Sequence, residues 1–180
     1  MLIAARRDRV FTIIEVVIGM AIVAILFTMA APAYRSWMEN SRIRGAAHSI
    51  ANGLNLARTE AIHRNVPVQM QLTSAADGTA PAWIVSEVTA GTVVQMWSSA
   101  DGAASTQIVQ AGGGIVTFNA LGRVVTPNLA DGSAPLLQVD VTSSDDASDP
   151  ALRSMRVLVG NGGAVHMCDP QLAQPDPQAC

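Results

Sequence analysis

The feature that most constrains this chain is an apolar run near its start, with the sequence FTIIEVVIGMAIVAILFTMAAPA at residues 11–33. Of its 23 residues, only Glu15 can carry a charge. A helix needs about 20 apolar residues to cross the hydrocarbon core of a bilayer. Because lipid offers no hydrogen-bond partners, such a segment must satisfy its backbone groups internally, as a helix. We therefore expect residues 11–33 to form a membrane-spanning helix.

The residues before the run predict its orientation. Arg6, Arg7 and Arg9 outnumber the single acidic residue there, Asp8. Positive charge beside a first apolar segment is retained in the cytoplasm. We therefore expect the chain from Tyr34 onward to lie on the periplasmic side of the inner membrane. A cleaved secretory signal is the second alternative, although its apolar core is usually shorter than this run.

Glu15 is unusual in an apolar helix. A charge deep in a membrane helix costs about 2.5–3.5 kcal/mol on insertion scales. On physical grounds two interpretations remain open. Either the Glu15 carboxyl lies near the cytoplasmic interface or is protonated, or it awaits a cationic partner within a protein assembly.

The sequence FTIIEVV at residues 11–17 follows a short basic segment. This combination resembles the class III signal of type IV pilins and type II secretion pseudopilins. The resemblance implies that prepilin peptidase cleaves between Val10 and Phe11, which makes residues 1–10 a leader, and that the new Phe11 amine is N-methylated. It also implies that Glu15 pairs with the Phe11 amine of a neighbouring subunit. The family has Gly before the cleaved bond, where this chain has Val10.

Beyond the apolar run, the helical pattern continues but becomes amphipathic. Apolar residues recur at spacings of three and four, which is typical of one helix face; they are Ile43, Ala47, Ile50, Leu54, Ala57 and Ala61. Asn65 and Pro67 form a stop signal. We predict one helix over about 12–64, kinked at Pro32, where many pilins carry a proline. Its second half, within 34–66, should pack on a head, and Gly53 would let a sheet approach closely.

From residue 67 the apolar period changes to two, which is typical of half-buried strands. Short strands alternate with turn signals; we expect them at 66–73, 83–88, 93–97, 106–109, 115–118, 123–125, 136–141, 155–159 and 164–167. Residues 115–118 and 123–125 should pair as a hairpin. The predicted fold class is α+β: a long N-terminal helix packed on an antiparallel β-rich head at 67–180.

Three further stretches resemble the GspH/FimT group of minor pilins and pseudopilins: residues 55–68, 116–124 and 157–169. The resemblance implies a minor pilin that joins, or primes assembly of, a type IV pilus through helix packing and head–head contacts. Its partners would be other minor pilins and the major pilin. The alternative is the H-type pseudopilin of a type II secretion system, whose partners would be pseudopilins.

The charge distribution argues against nucleic acid as a partner. Residues 1–66 hold eight Arg and four acidic residues, a net +4, whereas residues 67–180 hold three Arg and ten acidic residues, a net −7. An acidic head repels phosphate. DNA-uptake members of the group carry a Gly-Arg-x-Arg element, but the matching residues are Gly163, Ala164, Val165 and His166. DNA binding is therefore not expected.

No pattern in the sequence predicts an enzyme, a cofactor site or a metal site. The glycine-rich stretches at 112–114 and 160–163 lack the Lys and the following helix of phosphate loops. His48, His63 and His166 have no metal-ligand spacing. The acidic loop 143–150 lacks the spacing of a Ca²⁺ loop.

The chain has two cysteines, Cys168 and Cys180. On the periplasmic side of the inner membrane they would meet an oxidising compartment. We therefore expect a disulfide between them, with a closed loop worth about 3 kcal/mol by the chain-entropy estimate.

The resemblance of residues 11–17 to the class III signal predicts that the mature protein begins at N-methyl-Phe11. Intact-mass analysis of native protein should give the mass of residues 11–180 plus one methyl group. Val10→Gly should speed processing, because the peptidase prefers Gly before the cut. Retention of Met1 in cells with active peptidase would contradict the prediction.

Overall fold

The computed structural model describes residues 12–73, 82–98, 106–111, 113–143 and 151–180, without the side chains of Ala82 and of residues 106–111. In this part of the chain, one helix precedes eight strands. These elements are α1 (Ile13–Arg64), β1 (Val68–Thr73), β2 (Ala82–Glu87), β3 (Val93–Trp97), β4 (Thr106–Ala111), β5 (Ile115–Phe118), β6 (Gln138–Ser143), β7 (Met155–Val159) and β8 (Val165–Cys168). The predicted α+β fold is confirmed.

The chain divides into two compact units, Met1–Trp37 and Met38–Cys180. Helix α1 runs through the boundary without interruption, so the predicted single helix is confirmed. The described part of the first unit is helical from Ile13 onward. The second unit holds the rest of α1 and all eight strands. The division of the chain at residues 33/34 and 66/67 stays a prediction.

Helix α1 ends as its sequence predicts. Asn65 adopts a left-handed conformation with φ of 57°. Asn tolerates this conformation, and a proline soon after cannot continue a helix. Strand β1 begins directly after Pro67, so the stop signal turns the chain from the helix into the sheet.

The strands form two antiparallel four-stranded sheets. The first has the order β3-β2-β1-β5, and the second has the order β4-β6-β7-β8. Strand β1 lies centrally, with Met70 opposite Val85 of β2 and Val116 of β5. All three side chains are fully buried. The sheets therefore contribute an aliphatic core, as the low aromatic content of 4% requires.

The second half of α1 supplies the other side of this core. Each residue of the predicted apolar stripe is at most 1% exposed. Smaller neighbours extend the buried face to Ala46, Ala51 and Gly53. A helix face rich in Ala and Gly lets its backbone lie close to a sheet. The close contact removes apolar surface from water, and each Å² removed stabilises the fold by about 25 cal/mol.

At Gly53 the backbone of α1 lies close to the first sheet. A Cβ atom at this position would lie 3.0 Å from two atoms of the Trp83 ring. The ring is 4% exposed, and its Nε1–H donates a hydrogen bond to Ser49 Oγ at 3.0 Å. Packing and this hydrogen bond fix the indole against the glycine, so the predicted role of Gly53 is confirmed.

One predicted hairpin is present but short. Residues 123–125 form no strand, but an isolated antiparallel bridge joins Phe118 to Val124. On either side of it, the Val125 N–H donates to the Thr117 carbonyl at 2.9 Å and the Asn119 N–H donates to the Arg123 carbonyl at 3.0 Å. Buried Asn128 accepts the Thr117 N–H and donates to the Ile115 carbonyl. Its side chain therefore takes the place of further strand pairing along this edge of β5.

A disulfide joins Cys168, at the end of β8, to Cys180. The loop that it closes is organised by Asp169, which is 4% exposed. The Asp169 N–H donates to the Gln178 carbonyl at 2.7 Å, and its carboxylate accepts the Gln171 N–H at 2.8 Å. Arg153 forms an ion pair with the same carboxylate at 3.5 Å. The loop is thus held by backbone contacts as well as by the covalent bond.

Two glycines of α1 provide a matched test of the close approach. Gly45→Ala should raise the free energy of unfolding by about 0.5–1 kcal/mol, because Ala favours the helix and a Cβ there meets no atom within 4 Å. Gly53→Ala gains the same propensity but must displace Trp83, and we expect it to be less stable than Gly45→Ala by about 1–3 kcal/mol. Denaturant unfolding monitored by tryptophan fluorescence measures both; equal stabilisation would contradict the packing described.

The disulfide provides a second test. Replacing both Cys168 and Cys180 by Ser should lower the free energy of unfolding by about 3 kcal/mol, since the bond closes a short loop. Dithiothreitol should lower the melting temperature of the wild type to that of the double variant and leave the variant unchanged. An unaltered melting temperature for the reduced wild type would show that the other contacts hold the loop unaided.

Candidate assembly site

The candidate site begins at the first turn of α1. The Glu15 N–H donates to Thr12 Oγ1 at 3.3 Å and to the Thr12 carbonyl at 3.1 Å. Thr12 therefore caps the helix by accepting a hydrogen bond from a free N–H of the first turn. Glu15 is exposed in this turn, where the positive end of the helix dipole favours a carboxylate. Val10 and Phe11 lie outside the described residues.

The apolar half of α1 exposes its side chains all round. Ile13 is 86% exposed, Phe27 74% and Met29 74%. Among the described residues, α1 is the one helix long and apolar enough to span a membrane, and none of its most apolar stretch is buried. Such a surface is unfavourable in water. Lipid or other apolar helices are surroundings that suit it.

Pro32 lies inside α1. Its missing N–H deprives the Thr28 carbonyl of a helical partner, which permits bending. Downstream, Ser36 Oγ donates to the Pro32 carbonyl at 3.2 Å. The helix assignment continues through Pro32, and the kink itself stays a prediction.

Side-chain hydrogen bonds fasten the head to the part of α1 that begins at Met38. Asn40 donates to the Ala151 carbonyl at 2.9 Å and accepts the Arg153 N–H at 2.8 Å. Glu39 accepts a hydrogen bond from buried Ser143 at 3.1 Å. Farther along, Arg58 donates to the Gly122 carbonyl at 3.2 Å. Helix and head of this unit are therefore linked by polar contacts at both ends of their interface.

Some charges of the head are already paired within it. Asp140 and Arg156 lie opposite each other on β6 and β7 and form a two-pronged ion pair at 2.6 and 2.8 Å. The hydrogen bonds that Arg156 donates lower the pKa of Asp140, and the same bonds raise the pKa of Arg156. The Ser133 N–H, together with the Ser133 side chain, lowers the pKa of Asp131. These carboxylates stay ionised at neutral pH and keep the head acidic.

The head also has a crevice with a volume of about 620 Å³ beside the Asn119 turn. Its lining includes the apolar residues Leu121, Val124 and Leu137 and the polar residues Asn119 and Arg123. Leu121 is 77% exposed.

The remaining candidate residues do not come together as a chemical site. His48, His63 and His166 are exposed, and the described residues contain no group of three His, Cys, Asp or Glu side chains able to hold a metal.

Gly163, with φ of 81°, faces the Gly122 carbonyl so closely that a Cβ would clash. The glycine stretch 160–163 is a turn between β7 and β8, as expected. Residues 144–150 of the acidic loop lie outside the description.

Two family models match the chain. The family described as type II transport protein GspH matches residues 46–163, and the prokaryotic N-terminal methylation motif matches residues 6–31. No curated protein sequence matches the chain significantly.

Solved structures similar to this chain include a minor pilin and a minor pseudopilin. The type IV minor pilin FimU of Pseudomonas aeruginosa is 15% identical with a TM-score of 0.51, over 75% of this chain and 97% of that chain. The minor pseudopilin EpsH of the Vibrio cholerae type 2 secretion system is 15% identical with a TM-score of 0.46, over 73% of this chain and 99% of that chain. At this identity, the FimU likeness supports the fold alone.

The evidence for the family is thus the GspH model over more than half of the 180 residues, the methylation motif at the start, and a long helix packed on antiparallel sheets. This chain belongs to the GspH family of minor pilins and pseudopilins.

Proposed function

We propose that this protein is a minor pilin that joins, or primes assembly of, a type IV pilus. It acts by binding other pilins and not by catalysis. The observation that carries the proposal is the exposure of the apolar half of α1 in a helix whose second half packs on the head. Such a chain can pass from lipid into a bundle of similar helices while its head stays folded.

The proposal includes processing and location. Prepilin peptidase removes leader residues 1–10, Phe11 is N-methylated, and residues 11–33 anchor the chain in the inner membrane before assembly. The amphipathic half 34–66 and the head 67–180 lie in the periplasm. The arginines before the apolar run support this orientation, and the Cys168–Cys180 bond suits an oxidising compartment.

Glu15 has the central role in assembly. In a fibre, its carboxylate pairs with the Phe11 amine of a neighbouring subunit, and apolar helices surround the pair. Its place in the first turn brings the carboxylate close to the start of the helix, where a neighbour's terminus can meet it. Removing one member of a buried pair costs about 3–5 kcal/mol, because the other charge is left uncompensated.

Contacts between heads complete the assembly. The exposed Leu121, which lines a crevice of the head, provides a surface for another pilin head. Burying such a leucine fully contributes about 1.5–3 kcal/mol. The acidic head and the absence of both arginines from residues 163–166 make a DNA-receptor role the least favoured alternative.

A second candidate function is the H-type pseudopilin of a type II secretion system. The description of the matching family model, type II transport protein GspH, favours it. Deleting the gene distinguishes the two functions: loss of surface pili supports the minor pilin, whereas loss of protein secretion with normal pili supports the pseudopilin.

Glu15→Ala should insert into the membrane at least as well as the wild type, since removing a charge eases insertion. Its head should fold normally, because the core does not include Glu15. We expect the variant to be absent from sheared pili. Immunoblots of membrane and sheared fractions measure the distribution.

Glu60→Ala serves as the matched control. Glu60 also lies on α1, but it pairs with Arg64 at the surface of the second unit, where such a pair contributes about 0.3–0.5 kcal/mol. This control should enter pili normally. Normal amounts of Glu15→Ala in sheared pili would reject the pairing role.

A further inference from the structure

Two aromatic rings project from α1 directly after the apolar run. Tyr34 is 61% exposed and Trp37 is 66% exposed. Their ring centroids lie 6.0 Å apart with planes at 32°, because residues three apart share a helix face. Both belong to the first compact unit. They form a continuous aromatic surface that the core of the head does not include.

The chemistry of this surface suits one environment. Tyr and Trp combine an apolar ring with a polar O–H or N–H group, so they are enriched where lipid tails meet headgroups. Arg35 lies between them in sequence, is exposed, and forms no ion pair with any residue that the structure describes. A guanidinium can bind a phosphate with two parallel hydrogen bonds.

We propose that Tyr34, Arg35 and Trp37 form an interfacial anchor that binds the phospholipid headgroup layer on the periplasmic face of the inner membrane before assembly. The proposal rests on the membrane insertion in the proposed function. The anchor is continuous with the apolar segment, since Tyr34 directly follows residues 11–33. Its occupant is lipid headgroups and not a second protein, because exposed rings beside an exposed guanidinium at this position match the polarity gradient of an interface.

The anchor also fixes the depth of Glu15. Tyr34 and Glu15 are separated by 19 residues of continuous helix, which corresponds to about 28 Å at 1.5 Å per residue. The hydrocarbon core is about 30 Å thick. When the anchor occupies the periplasmic interface, the Glu15 carboxylate therefore lies at the cytoplasmic interface, within reach of water. This position lowers the cost of the charge before assembly.

Fluorescence quenching tests the position of Trp37. Full-length protein is reconstituted in phosphatidylcholine–phosphatidylglycerol vesicles brominated either near the glycerol backbone or near the acyl-chain ends. Subtracting the Trp37→Phe spectrum from that of the wild type isolates Trp37 from Trp83 and Trp97. We expect a larger loss of Trp37 emission with the shallow bromines. Equal quenching by both lipids, stronger quenching by the deep bromines, or none would overturn the anchor.

Trp97→Phe is the matched control. Trp97 lies on β3 of the head and is partly exposed, so its removal should leave the difference between shallow and deep quenching unchanged. Alkaline carbonate extraction of the same vesicles separates two kinds of failure. Extraction of the protein would refute membrane insertion and the anchor with it; retention without preferential shallow quenching would refute the anchor alone.

Thiol labelling tests the depth of the first turn. Because Cys168 and Cys180 are disulfide-bonded, a new cysteine provides a single free thiol. In inverted inner-membrane vesicles, a membrane-impermeant maleimide should label Ile14→Cys and should not label Ala24→Cys, at the middle of the span. Adding Tyr34→Ala and Trp37→Ala should reduce labelling at position 14. Protection of Ile14→Cys, or labelling unaffected by loss of both rings, would overturn the proposal.

Discussion

The structure depends on the contact between the small-residue face of α1 and the two sheets. Alanine residues and Gly53 bring the helix backbone close enough for Trp83 and the β1 side chains to reach it. Because this core holds the second half of α1, the first half needs no intramolecular partner. An uninterrupted helix can then present one half to the head and the other half to lipid or to neighbouring subunits.

The division of α1 follows from the chemistry of its surfaces. Up to Trp37 the exposed side chains are mainly apolar. Beyond it, most exposed positions carry polar residues and most apolar residues are buried, with Ile62 as an exposed exception. Burying an apolar surface is favourable wherever water is removed, whether by lipid or by protein. The first half is therefore suited to both environments, and in the proposed function Glu15 is the polar group that distinguishes the fibre from lipid.

The head is organised by polar side chains at the ends of its strands. Asn128 takes the place of further strand pairing along one edge of β5 through bonds to Ile115 and Thr117, and Asn40 links α1 to the connection before β7. Asn128 satisfies the buried Thr117 N–H, which would otherwise be left unpaired at a cost of about 1–3 kcal/mol.

The sequence by itself determined the helix, its stop at Asn65, its buried stripe and most of the strands, because these depend on local periodicity and on backbone preferences of Asn and Pro. It also contains the Thr12–Glu15 capping pattern, a Thr followed three residues later by Glu, and the structure shows Thr12 acting as this cap. Only the tertiary structure decided that β5 pairs with β1, that Asn128 occupies its free edge, and that Tyr34 and Trp37 remain uncovered. These features depend on contacts between residues distant in sequence, for which the local pattern contains no signal.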